Sequence, residues 1–419
     1  MQSIGEKVKE QLAFDSEVGV IRVIDKLLNY AIGADADEIC FEPKENELAV
    51  IFRLAGGIEN IFSVSKKIEP ALIYGLKEMA GISSPMEKSA GNGKFKKDYQ
   101  GFKIIFSLTI YPTAAGEKIT IDLQKEKFEL LEISRLGFNA PALAAVKKNL
   151  NGRKGLTLVI GNFNSGRTTT LYSFLNFINK PELNIATVES NIAFDIPQIN
   201  QSRLDPISGY NSAIAVNSLR RRDTDVAMIE DINDQKTTEA AMHLAESGRF
   251  VLSGLYSQNA GTALALFRDL EVSLLSLTSV VKMMITQRLL KKNCPHCLIE
   301  QKISAGTKRK LKEKFVLGGL LQKMRADKII SEKVAGPEDL VFYKSRGCAC
   351  CQQTGFLGKI GIFEVLEITP EVKKIIKEGH FSGIRGEVKR QGGYLLEEDA
   401  LIKALSGLVE IEEVFKALE

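Results

Sequence analysis

The stretch GLTLVIGNFNSGRTTT, residues 155–170, decides how this chain is read. Leu156 to Ile160 is a short apolar run, Gly161 to Gly166 is a loop of Gly, Asn, Phe and Ser, and a helix is predicted from about Thr168. A strand, a glycine loop and a helix in that order cradle phosphates, because loop N–H groups and a helix N-terminus converge on one anion. Further apolar runs at Ala186 to Val188, Val226 to Ile229 and Phe250 to Leu252 alternate with helical segments. Strands separated by helices predict an α/β fold with a parallel sheet covered on both faces.

Upstream the pattern changes. Val18 to Ile32 carries apolar residues at helical spacing, whereas ELAVIFRL (47–54), FKIIFSLTI (102–110) and KITIDL (118–123) read as strands. This predicts a smaller α+β domain over 1–125 and a connector over 126–140, in which Asn139 and Pro141 open a helix that runs to about Leu150. A nucleotide-binding domain over 141–290, a cysteine module over 291–360 and a helical segment over 361–419 complete the expected organisation. The 419 residues leave room for two or three real cores. With 44% hydrophobic and 26% charged residues, fibrous, low-complexity and disulfide-scaffold classes are excluded. A net charge of +4 selects neither nucleic acid nor membrane as a partner. The first 15 residues lack the apolar core of a signal peptide and no later stretch suits a spanning helix, so a cytosolic protein is expected.

The segment from Gly161 to Thr168 matches the phosphate-loop pattern G-x-x-x-x-G-K-[ST] except at Arg167, where the pattern asks for Lys. A lysine reaches the β and γ phosphates as a compact charge, whereas a guanidinium is a wide planar fork. Gly161, Asn164, Ser165, Gly166, Arg167, Thr168 and Thr169 are the candidate nucleotide-binding residues, with Thr168 offering a hydroxyl to Mg²⁺. The alternative is a turn that keeps its glycines for backbone shape alone.

Cys294-Pro-His-Cys297 and Cys348-Ala-Cys-Cys351 form two CxxC knuckles. Two knuckles supply the four thiolates of a tetrahedral zinc site, so Cys294, Cys297, Cys348 and Cys351 are the expected ligands, with His296 and Cys350 spare. Four protein ligands leave no open position, so the zinc would be structural. Reduced or redox-active thiols are the alternative. The basic run Lys308-Arg-Lys-Leu-Lys-Glu-Lys314 beside a zinc module raises a second class of function, nucleic-acid binding, although no recognition motif accompanies it.

Several segments together resemble the ATPases of type II secretion and type IV pilus assembly. These are residues 155–176, DTDVAMIEDINDQKTTEAA (223–241), the paired CxxC motifs, GLVEIEEVFKAL (407–418), ADADEICFEP (34–43) and YPTAAGEKITIDL (111–123). The resemblance covers nearly the whole chain, without the extra N-terminal domain that many members carry. It implies an α+β domain joined to a RecA-like P-loop domain, with a C-terminal zinc module and helical tail. It also implies a hexamer that hydrolyses ATP with Mg²⁺ at protomer boundaries, at the inner face of the cytoplasmic membrane, and drives pilin movement through a platform protein.

The resemblance also exposes departures. Where the family places Gly and a water-activating Glu, this chain has Glu230 and Asp231. Alternatively, 223–231 is a buried strand with solvated carboxylates at its tip. The family's Glu-Asp-Pro is matched by Glu189, Ser190 and Asn191, and its histidine box by SGLYSQN (253–259), with Tyr256 in place of His. Two arginines that the family supplies across the subunit boundary are matched by Ser107 and Asp122. An arginine finger contributes roughly 10³ to 10⁵ in rate, so hydrolysis is expected to be impaired, with Asp231, Glu230 and Glu189 as the remaining catalytic candidates. A homo-hexamer, or a mixed ring with an active paralogue, follows from the same resemblance.

Overall fold

The structure is a computed structural model that describes residues 17–34, 36–54, 57–82, 90–99, 102–125, 130–205, 208–221, 223–334, 336–351 and 353–418. The chain divides into two compact units, 1–129 and 130–419. The N-terminal 15 residues and the start of the expected connector, 126–129, lie outside the described residues.

In the first unit, helix α1 (Glu17–Gly33) precedes strands β1 (Glu38–Pro43), β2 (Glu47–Leu54) and β3 (Gly57–Ser65), helix α2 (Glu69–Met79), and strands β4 (Gly91–Tyr99), β5 (Phe102–Thr113) and β6 (Gly116–Lys125). The strands form one antiparallel sheet ordered β3-β2-β1-β6-β5-β4. Ile39, Phe41, Val50, Phe52, Phe106, Leu108 and Ile121 alternate onto one face and pack with Ile24, Leu28 and Leu72 from α1 and α2. Ser107 and Asp122 stand directly opposite each other on β5 and β6, and Asp122 is also opposite Glu38 of β1. Burial raises the Asp122 carboxyl, nearby Glu38 adds to the rise, and Arg53 opposes it.

The second unit begins with α3 (Ala140–Gly152), whose first turn is capped by the Asn139 side chain accepting from the Ala142 N–H at 3.0 Å. There follow β7 (Leu156–Ile160), α4 (Arg167–Ile178), β8 (Ile185–Glu189), β9 (Ile199–Arg203), α5 (Ser212–Leu219), β10 (Val226–Asp231), α6 (Gln235–Glu246), β11 (Phe250–Leu255), α7 (Ala260–Asp269), α8 (Leu274–Val280) and β12 (Val281–Asn293). Strand β13 (Leu298–Gln301), helices α9 (Ala305–Lys314) and α10 (Leu317–Ala326), and strands β14 (Phe342–Ser345) and β15 (Phe356–Glu367) come next. Helices α11 (Pro370–Glu378), α12 (Ile384–Arg390), α13 (Leu396–Leu405) and α14 (Ile411–Leu418) close the chain.

Seven strands form one sheet, ordered β15-β12-β7-β11-β10-β8-β9. Every neighbouring pair is parallel except β15 with β12. Central β7 is buried along its whole length, as a strand covered on both faces must be. Leu171, Phe174 and Leu175 of α4 cover one face, and Ala241 and Leu244 of α6, with Leu264 and Phe267 of α7, cover the other.

Two expectations change here. Ile133 and Leu136 of the expected connector are buried in the second unit's core beside Leu171 and Phe363, so this stretch packs rather than links. The boundaries expected after 290 and 360 both fall inside strands, β12 and β15. Their antiparallel pairing runs from Met283 with Glu367 to Asn293 with Phe356, and it ties the cysteine module and the tail to the seven-stranded sheet.

Candidate functional site

The loop after β7 closes tightly. Gly161 N–H donates to the Leu255 carbonyl at 3.1 Å, Asn164 has φ +58°, and Gly166 has φ +87° as it enters α4. A Cβ at Gly166 would stand 2.9 Å from Nε2 of Gln287, so both the left-handed backbone and the close approach require glycine there. Gln287 lies in β12 and is buried. Its Nε2 donates to the Ser165 carbonyl at 2.9 Å, and its Oε1 accepts from the Thr170 hydroxyl at 2.7 Å. The loop is thereby pinned to the sheet by a residue that nothing in its local sequence, MITQRLL, marks as functional. Thr168 and Thr169 occupy the first turn of α4 and are half-buried.

Arg167 does not extend out of the loop. Its side chain is only 9% exposed. Nη1 donates to the Gly161 carbonyl at 2.6 Å, and Nη2 lies 3.1 Å and 3.4 Å from the two carboxylate oxygens of Asp231. The guanidinium carbon sits 3.5 Å from the centroid of the Tyr256 ring, a cation–π stack. Arg167, Asp231 and Tyr256, each of which departs from the resembled motifs, are thus one interlocked cluster. Gly254 makes room for it, since a Cβ there would stand 2.6 Å from the Asp231 carboxylate and 2.3 Å from the Glu230 carbonyl. Burial pushes the Asp231 carboxyl up to about 7. Arg167 opposes that rise, Glu230 adds to it, and a hydrogen bond with Tyr256 opposes it again.

The other two carboxylates are engaged elsewhere. Glu189, at the end of β8, is buried and accepts from Tyr172, from Thr187 at 2.5 Å and from Gln201 at 3.2 Å. Its carboxyl is raised by burial despite these donors. Glu230 accepts from the Ser190 N–H at 2.6 Å and so ties β10 to the turn after β8. Of the three candidates, only Asp231 touches a residue of the phosphate loop.

The cysteines converge. The sulfurs of Cys294, Cys297, Cys348 and Cys351 all lie within 4.8 Å of one another, with three separations of 3.8, 3.9 and 3.7 Å. The short antiparallel pair β13–β14 and two 3-10 turns, Pro295–Cys297 and Ala349–Cys351, hold them, and the Cys348 N–H donates to the Cys351 sulfur at 3.1 Å. The set is positioned for one metal ion. Neither Cys350, which is exposed, nor His296 belongs to it. In the basic run, Lys308 and Lys312 both pair with Glu338 at 3.1 and 3.2 Å, so part of its charge is met within the chain.

Residues 14–416 match the family model described as "Type II/IV secretion system protein". Over 400 residues the chain is 30% identical to a type IV pilus assembly ATPase PilB of Acinetobacter baylyi, covering 95% of this chain and 66% of that protein. Over 405 residues it is 29% identical to type II secretion system protein E of Xanthomonas campestris, covering 96% and 68%. The chain therefore spans about two thirds of the length of these relatives. Among solved structures, the Legionella pneumophila ATPase DotB superposes with a TM-score of 0.61 at 16% identity, covering 94% of this chain and 95% of that one. The pilus retraction motor PilT with bound ADP superposes with a TM-score of 0.56 at 18% identity, covering 94% and 96%. At these identities the superpositions establish a shared fold.

Proposed function

The chain belongs to the type II/IV secretion system protein family, and from that premise we propose that it is a motor subunit of a pilus or secretion machine whose ATP hydrolysis is impaired. The observation that carries this reading is the cluster of Arg167, Asp231 and Tyr256. Breaking a buried ion pair costs roughly 3–5 kcal/mol, whereas a new hydrogen bond to a charged group contributes about 1.5–3 kcal/mol. Swinging Arg167 outward to a phosphate is therefore unfavourable, and Asp231 stays neutralised where a general base would need to accept a proton. In the cradle of Gly161, Asn164, Ser165, Gly166, Thr168 and Thr169, the N–H groups of Gly161 and Ser165 already donate to the Leu255 and Asn162 carbonyls, so ATP with Mg²⁺ at Thr168 binds weakly at most. Glu189, saturated by three donors, acts in scaffolding.

One observation favours a second reading, an active ATPase. A carboxyl at about 7 is well matched to accepting a proton near neutral pH. A coupled assay separates the two. Mg²⁺-dependent turnover that disappears in Asp231→Asn would sink the impaired reading, while turnover no higher than in that variant supports it.

For the cysteines, a tetrahedron with Zn–S of about 2.3 Å has edges of about 3.8 Å; three of the six sulfur separations, at 3.7–3.9 Å, match those edges, and all four sulfurs lie within 4.8 Å of one another, which supports zinc. The ion would crosslink the two knuckles and take no part in chemistry. For partners, we propose a homo-hexamer or a mixed ring with an active paralogue, peripheral to the cytoplasmic face of the inner membrane and engaging a platform protein. Among the described residues no helix is long and apolar enough to cross a membrane. The mixed ring is favoured because Asp122 stands at a position where the family carries an arginine. Light scattering that finds only monomer, alone and with the paralogue, would defeat this.

A further inference from the structure

Strand β12 has two polar faces at its far end. Gln287 points to the phosphate loop, but its neighbours Thr286 and Arg288 alternate to the other side of the sheet. There they line a separate half-open cleft of about 360 Å³, together with Lys314 of α9, Glu364 of β15, Arg385 of α12 and Glu397 of α13. This volume lies within the range of small-molecule sites.

Three features of its wall call for a ligand. Thr286 is 1% exposed and its hydroxyl has no hydrogen-bond partner among the described residues; Nε of half-buried Arg288 is itself buried and unpaired, although its Nη1 donates to the Ala417 carbonyl. A buried polar group left unpaired costs about 1–3 kcal/mol, so something polar belongs against both. Charge then selects what it is. Arg385 is paired with Glu397, but Lys314 has no acidic partner among the described residues. Burial pushes the Glu364 carboxyl up to about 7, so it offsets only part of the positive charge near neutrality. Water would satisfy the hydroxyl and leave this surplus unanswered.

We propose that this cavity is a second anion site, distinct from the phosphate loop, that binds a small phosphate-bearing ligand. Donors reach it from β12, α9 and α12, on several sides. A tetrahedral phosphate presents oxygens in several directions at once, whereas a carboxylate is planar and suits a single fork. The site lies across one strand from Gln287, so it is separate from the nucleotide loop yet built on the same segment of β12.

The test is calorimetric titration of the full chain with inorganic pyrophosphate at constant ionic strength. Saturable binding is expected, weakened about tenfold or more in Arg288→Gln through loss of a charge-assisted donor. Exposed Lys314→Gln, which carries no folding risk, should weaken it about threefold. Binding should persist in Thr168→Ala, which removes a half-buried hydroxyl at the phosphate loop and leaves the buried Arg167–Asp231 pair intact. Citrate should bind more weakly than pyrophosphate. The absence of saturable binding, indifference to both cavity variants, or loss of binding in Thr168→Ala would overturn the proposal. Equal affinity for citrate would overturn the phosphate assignment.

Discussion

Four sulfurs held by two knuckles, and one guanidinium shared among a carbonyl, a carboxylate and an aromatic ring, are the two principal polar constructions of the larger unit. In the cysteine cluster each pair of ligands is delivered by its own short turn, so the site survives as long as four residues keep their type. In the loop cluster no residue has meaning alone: Arg167 needs Asp231 to neutralise it, Tyr256 to stack on it and Gly254 to admit it. Changes that look like three independent losses in sequence are one packed replacement. The contrast teaches that modular sites depend on local spacing, whereas buried charge sites depend on partners.

The sharpest way to break the comparison is to remove a ligand from the modular site. Structural zinc contributes on the order of 10 kcal/mol of apparent binding energy. Cys297→Ser should therefore abolish the expected stoichiometry of about one zinc per chain in elemental analysis and expose the paired strands β13 and β14 to proteolysis. Protein purified without chelator and found free of zinc would remove the claim.

Next in size is the loop cluster. Asp231→Ala leaves a buried guanidinium uncompensated and should destabilise the second unit by about 3–5 kcal/mol in denaturant unfolding. Arg167→Ala should cost a similar amount, and the double variant should lose much less than the sum of the two. Strict additivity would mean that the pair is not coupled.

A third test concerns pH. The Glu364 carboxyl is raised from 4.5 to about 7 by burial, with Arg385 and the Leu396 N–H opposing the rise and Glu397 and Glu398 adding to it. A carboxyl raised on folding contributes stability that is fully present below its unfolded value and lost as pH rises through its folded one. Between pH 4.5 and about 7 native protein should lose about 3 kcal/mol from this group, at about 1.4 kcal/mol per tenfold in proton affinity. Glu364→Gln should flatten that part of the stability profile, and an unchanged profile would refute the assignment.

The smallest effect is expected from Arg167→Lys, which restores the phosphate-loop pattern and withdraws the fork from Asp231. ATP binding, followed by fluorescence titration with a labelled nucleotide, should tighten by several-fold while turnover stays low. Brisk turnover would show that Ser107 and Asp122 matter less than their positions suggest.

Much of this molecule was legible in one dimension. β2 and β7 fall where the apolar runs of 47–54 and 156–160 placed them, and Asn139 caps the helix it was read to open. The cysteine spacing identified all four members of the metal-ready cluster. Such features rest on interactions within a few residues, so local pattern determines them. What the tertiary structure alone decided is partnership across long separations. Asp231 is 64 residues from Arg167, and Gln287 is 122 residues from the loop carbonyl it holds. β15 pairs antiparallel with β12 and so forms one edge of the seven-stranded sheet. Whether Arg167 points at a phosphate or back at a carboxylate depends on which buried charges the packed core brings within about 4 Å, where desolvation makes pairing obligatory.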